Sequence, residues 1–241
     1  MIDLAMCVAL LTAAVTPVEL YNQGNKAFAE KDYAGAVASY AQALQGLNAA
    51  VLHYNLGNAY FKAGDIGKAV ASYRRAHFLA PRDPDINYNL LFARQYRLDR
   101  SANAVSPLAD LLSSWLHYFS YRESFTAAAI LALLCAVAFS LYRSLRKRIF
   151  AYLVIPLFIA FMYFGAGFVT WRGERSGMYA IVIAREAHAM SGPGIEYKEI
   201  LLLHDGTEMQ VKDVRGDYLL IQLPGGLGGW VNAQTVEFLY P

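Results

Sequence analysis

Two stretches break the mixture of polar and apolar positions along the chain: residues 124–142 and 149–171 hold no charged side chain. At the rise of an α-helix they would reach ~28 and ~34 Å, close to the hydrocarbon thickness of a bilayer. The pattern predicts a transmembrane hairpin, with spans over 122–142 and 149–171 and a loop over 143–148. Just upstream, Leu108, Leu111, Leu112, Trp115, Leu116 and Phe119 recur with helical period. They predict an amphipathic helix over 107–121 lying in the membrane interface. Further upstream the pattern is helical and repetitive. Tyr21-Asn22-Gln23-Gly24-Asn25, Tyr54-Asn55-Leu56-Gly57-Asn58 and Tyr88-Asn89-Leu90-Leu91-Phe92 follow one another at steps of 33 and 34 residues. That step is the period of a helix-turn-helix repeat array. After Gly177 the pattern shortens to β-rich runs over 179–184, 200–203, 209–214, 218–223 and 230–231, separated by Gly and Asp clusters. Such runs predict a small meandering barrel over 177–241.

Within the repeats, small residues fall where paired helices must approach closely: Gly24 and Gly57 in each first helix, Ala36, Ala43, Ala69 and Ala76 in each second one. Tyr40 and Tyr73 fill the space between repeats, and Asp32 and Asp65 stand as N-caps of the second helices. Pro81 ends the second repeat, Asp83-Pro84 opens a further helix, and Leu91 replaces the glycine there, so that helix is expected to be a cap. These residues resemble the tetratricopeptide repeat, over 17–98, as two repeats and a capping helix. Asn22 and Asn25, then Asn55 and Asn58, lie at i and i+3 on each inner helix, with Asn89 continuing the row beside Tyr21, Tyr54 and Tyr88. Amides both donate to and accept from a peptide backbone, which suits an extended peptide. The same residues would equally serve repeat folding, and both readings stand. Repeat proteins of this kind that clamp a terminal carboxylate use Lys or Arg, where Tyr21, Tyr54, Tyr88 and Asp85 stand here.

Composition supports the membrane reading: mean hydropathy is +0.28 and only 17% of the 241 residues are charged. Arg143, Arg146, Lys147 and Arg148 crowd the 143–148 loop, which the positive-inside rule places in the cytoplasm. The domains flanking the hairpin then share the opposite aqueous side. Residues 1–16 are expected to be a signal peptide or N-terminal anchor, with a buried first helix as the alternative. A net charge of +2 gives no footprint for nucleic acid. Arg94, Arg97 and Arg100, with Arg74 and Arg75, are expected to form a solvated helix face rather than a lipid contact.

Ser191-Gly192-Pro193-Gly194, Tyr197, the turn His204-Asp205-Gly206-Thr207 and Gly229-Trp230-Val231 resemble a bacterial SH3 domain. Met190 and Asp217-Tyr218 depart from that pattern near surfaces that related domains use for ligands. Gly225-Gly226-Leu227-Gly228-Gly229 lacks the Lys-Ser/Thr pair of a phosphate loop and is expected to be a hairpin turn. His53, His77, His117, His188 and His204 show no metal-ligand spacing, so neither catalysis nor a cofactor is expected. The expected fold class is a multidomain membrane protein: an all-α tetratricopeptide repeat array, a two-helix transmembrane hairpin and an all-β SH3-like barrel. This order of parts resembles the BatE family of the bacterial aerotolerance operon. The resemblance implies an inner-membrane scaffold with its repeat and SH3-like domains on the periplasmic side. It implies as partners membrane proteins with von Willebrand factor A domains and a MoxR-type ATPase system. Membrane lipid is a further expected contact, and a peptidoglycan anchor acting through the SH3-like domain is the alternative function.

Overall fold

The computed structural model describes residues 15–99 and 107–240. The expected signal or anchor over 1–16 lies almost wholly outside them, as do Arg100 and Pro241. Among the described residues there are eight α-helices, a short 3₁₀ turn and seven strands.

The first five helices pair as the repeat predicts: α1 (Pro17–Ala29) with α2 (Tyr33–Gly46), α3 (Ala50–Ala63) with α4 (Ile66–Leu79), and α5 (Pro84–Gln95) as cap. Local chemistry sets their starts. Thr16 and Glu19 form a reciprocal capping box on α1, Asp32 accepts from the Gly35 amide on α2, and Asp83 accepts from the Asp85 and Ile86 amides on α5. α3 ends at Gly64, whose φ of 90° is the left-handed conformation that glycine adopts without strain. The two repeat glycines allow the close approach: a Cβ on Gly24 would lie 2.5 Å from the Tyr40 ring, and one on Gly57 2.7 Å from the Tyr73 ring.

α6 (Pro107–Leu116) leads to α7 (Tyr121–Leu145) and α8 (Arg148–Ser176). The amphipathic helix stops at Leu116 instead of reaching 121, because Ser120 and Glu123 form a capping box that starts α7 afresh. The predicted loop shrinks to Arg146 and Lys147, with Arg146 left-handed at φ 49°. Both helices are long and apolar enough to cross a membrane, each holding an 18-residue window of mean hydropathy 2.2. α8 runs through Pro156 without a break and continues past the apolar stretch to Glu174 and Arg175. Trp171, 1% exposed, seats this end of the hairpin on the repeat domain. Its ring meets Phe78 edge-on at 5.1 Å, and its Nε1 donates to the Phe119 carbonyl at 2.7 Å.

The C-terminal strands are β1 (Tyr179–Val182), β2 (Glu186–Met190), β3 (Glu199–His204), β4 (Glu208–Arg215), β5 (Tyr218–Gln222), β6 (Gly228–Asn232) and β7 (Val236–Phe238). They form one antiparallel sheet in the order β3-β2-β6-β5-β4-β1-β7. Residues from every strand, among them Val182, Ala187, Leu203, Val211, Ile221, Val231 and Val236, meet in one core, so the sheet curls on itself. β5 and β6 join through Gly225 and Gly226 at positive φ, the expected hairpin turn.

β1 is buried on both faces. Ala180 and Val182 enter the barrel core while Ile181 packs against Ala69, Val70 and Ala71 of α4, joined there by Leu239. Four of the five arginines expected on a solvated face close this joint instead, and the fifth, Arg100, lies outside the described residues. Arg94 grips Glu208 with two bonds of 2.7 and 2.8 Å, Arg97 adds one of 3.0 Å, and Arg74 stands 3.5 Å away. Arg75 pairs with Glu237 and donates to the Phe238 and Leu239 carbonyls. Burial works against the Glu208 charge, but Arg94, Arg74 and Arg97 hold its carboxyl down at about 2. Asp99 accepts from the His204 amide and the Thr207 hydroxyl, tying the cap to the turn before β4. That same turn completes α4: Asp65 caps with its backbone only, and Asp205 Oδ1 accepts from the Gly67 amide at 2.9 Å. An isolated N-terminus would leave that donor unpaired.

Candidate peptide-binding groove

The inner helices α1, α3 and α5 carry the asparagine rows, and the structure shows where each amide goes. Asn25 Oδ1 accepts from the Tyr40 hydroxyl at 2.8 Å and from Asn55 Nδ2 at 3.4 Å, while Asn55 Nδ2 also reaches the Tyr21 hydroxyl. One repeat later the arrangement recurs. Asn58 Oδ1 accepts from the Tyr73 hydroxyl at 2.7 Å and from Asn89 Nδ2 at 3.0 Å, and Asn89 Nδ2 also donates to the Tyr54 hydroxyl. Each node therefore joins the second helix of a repeat, its first helix and the next repeat's first helix. Burial pushes the Tyr40 phenol up to about 12 and raises that of Tyr73 further, so both stay protonated donors.

Six of the predicted groove residues, Tyr21, Asn25, Tyr54, Asn55, Asn58 and Asn89, thus come together as a ladder that holds the repeats in register. Asn22, Asp85 and Tyr88 stand exposed outside it. Among the described residues, Asn25 and Asn58 use only their carbonyl oxygens in the ladder, so their amide N–H groups remain for a ligand.

The pattern of asparagines does not reveal the apolar part of the groove. Phe61 of α3 packs on Phe92 at 5.6 Å and edge-on to Tyr96 at 5.2 Å, and Tyr88 stacks parallel on Phe92 at 6.1 Å. A cavity of about 160 Å³ opens beside this shelf, lined by Phe28, Asn58, Phe61, Lys62, Tyr73, Asn89 and Phe92. It has the size and lining for one apolar side chain, with Asn58 and Lys62 also among its walls. The signal was present in the sequence, since Phe28 and Phe61 follow Tyr21 and Tyr54 at the same seven-residue offset. On α5 and the two residues that follow it, Asn89, Phe92 and Tyr96 lie to one side, and Arg94 and Arg97 reach Glu208 of the barrel. Barrel docking therefore leaves the shelf open.

Residues 50–83 match the tetratricopeptide repeat family, a span that covers α3 and α4. No curated protein matches the chain. The match marks these helices as a protein–protein interaction module, and α1 with α2 repeats their geometry.

Proposed function

We propose that this protein is a membrane-anchored adaptor of the bacterial envelope, whose repeat groove holds an extended, apolar-bearing segment of a partner protein. The observation that carries this reading is the open shelf of Phe61, Tyr88, Phe92 and Tyr96 beside amide donors, on the face of α5 turned away from the barrel. A peptide laid there would place one apolar side chain in the cavity and direct backbone carbonyls at Asn25 and Asn58. In the same reading α7 and α8 cross the cytoplasmic membrane, the basic turn faces the cytoplasm, and the repeat domain and SH3-like barrel share the outer side. Two features support it: the apolar length of both helices, and the meeting of both soluble parts at one end of the hairpin, where Phe78 contacts both Trp171 and Tyr240. The whole-chain order of parts extends the reading to the BatE-like scaffold. Its natural partners are then membrane proteins with von Willebrand factor A domains, working with a MoxR-type ATPase.

A photo-crosslinking residue at Tyr88 in intact membranes tests the adaptor reading. It should yield a discrete adduct with a membrane protein, and Phe92→Ala should reduce that adduct about tenfold, as loss of one aromatic anchor does. Recovery of no adduct, or one indifferent to Phe92, would retire the groove as the binding site.

A further inference from the structure

A second cavity, of about 490 Å³, opens where the helical hairpin meets the soluble parts. Its charged lining is cationic: Arg75 from α4, Arg122 from the first turn of α7 and Arg175 from the last turn of α8, with no carboxylate among the lining residues. Arg75 is held by Glu237. Arg122 and Arg175 form no ion pair among the described residues, and Arg175 lies only over the Tyr121 ring at 5.8 Å. Arg122 is also misplaced electrostatically, since the N-terminal turn of a helix already carries positive partial charge. Asn48, His53 and Ser120 add neutral polar groups, and Phe78, Leu79, Leu239 and Tyr240 supply apolar wall.

Tyr121 in the wall of this cavity begins a chain of ring contacts. The Tyr121 ring packs on Phe168 at 5.2 Å, and Phe168 packs on Phe125 at 5.4 Å. Phe125 and Phe168 then line an apolar groove of about 750 Å³ between the two long helices, floored by Ala128, Ala132 and Gly165. A chamber with cationic side chains and an apolar trough, bridged by the tilted ring contacts of Tyr121, Phe168 and Phe125, match a molecule with an anionic head and a hydrocarbon tail.

We propose that this is a binding site for an anionic phospholipid, its phosphate held between Arg122 and Arg175 and one acyl chain lying in the trough. The assignment rests on the membrane reading given above. A transmembrane helix from a partner would fill the trough but bring no anion to Arg122 and Arg175, which are exposed.

The test is native mass spectrometry of the full-length protein released from bilayers of phosphatidylglycerol and phosphatidylcholine. Wild type should retain phosphatidylglycerol in preference. Replacing both cations, Arg122→Gln with Arg175→Gln, should lower that preference about thirtyfold, the equivalent of two interfacial charges. Gly165→Leu should weaken retention with the charges intact, because a Cβ there meets nothing within 4 Å and the added side chain occupies the trough. A preference unchanged in the double arginine variant would overturn the site. Equal competition by soluble glycerol phosphate would overturn the acyl half and leave a small-anion site. Carbonate extraction separates the underlying reading: protein that stays in the membrane yet shows no lipid preference refutes the site alone, whereas protein that washes off refutes the membrane placement and the site with it.

Discussion

At the scale of single residues, the asparagine amides do their clearest work inside the array. Asn58 satisfies the hydroxyl of Tyr73, which is 2% exposed, and also an amide of the next repeat. Asn58→Ala leaves that hydroxyl without its acceptor and should cost about 1–3 kcal/mol in chemical denaturation. Asn22, exposed and outside the ladder, should change stability by less than about 0.5 kcal/mol when made alanine. Equal losses at the two positions would contradict the ladder. Gly57→Ala is a complementary test of the close approach. The added methyl group meets the Tyr73 ring at 2.7 Å, and overpacking of this kind costs about 1–3 kcal/mol.

At the scale of elements, α4 is the hub of the structure because it serves four neighbours: the first helix of its own repeat, the cap, the barrel and, through Phe78 and Trp171, the helical hairpin. Its N-terminus is completed by Asp205, and a Cβ on Gly67 would land on the Val182 carbonyl and the Asp205 carboxylate. Gly67→Ala should therefore loosen barrel docking while α1 to α3 keep their structure, a pattern that hydrogen exchange resolves as lost protection in β1 and the first turn of α4. The ion cluster makes docking sensitive to acid. The Glu208 carboxyl is held below its ordinary 4.5, at about 2, so its stabilising contribution is fully present above 4.5 and lost as pH falls toward 2. Asp205 has the opposite sign. Burial raises it from 3.8 to about 6, so its contribution is full below 3.8 and fades as pH climbs through 6. Urea titrations of Glu208→Gln should lose the acid limb, and those of Asp205→Asn the limb between 4 and 6. Removing Glu208 altogether leaves three guanidinium groups without their shared carboxylate and should cost about 3–5 kcal/mol.

At the scale of the whole molecule, the parts are legible in the sequence and their assembly is not. Helical period, the repeat step, the uncharged runs and the short β-rich runs are local signals, and they locate the array, the hairpin and five of the strands. β2 escapes because Ala187 and Ala189 are its only buried side chains, too small to mark an alternation, and β7 because it is three residues long. Docking escapes for a different reason. Arg94 and Glu208 lie 114 residues apart, as do other partners at comparable separations, and nothing local distinguishes an arginine on a solvated helix from one that meets a distant carboxylate. The groove is intermediate: its asparagines are visible as a motif, but only the paired helices show that they bond one another and that Phe61, Phe92 and Tyr96 form the open surface.

The account depends most on the side of the membrane that the groove and barrel occupy. Single cysteines placed at Asn22, Asp217 and Ser144, in a background with Cys7 and Cys135 replaced by serine, can be probed with a membrane-impermeant thiol reagent on intact cells whose outer barrier has been opened. The account predicts labelling at 22 and 217 and protection at 144 until the cytoplasmic membrane is broken. Labelling at 144 with protection at 22 and 217, or of the two soluble positions from opposite sides, would contradict it.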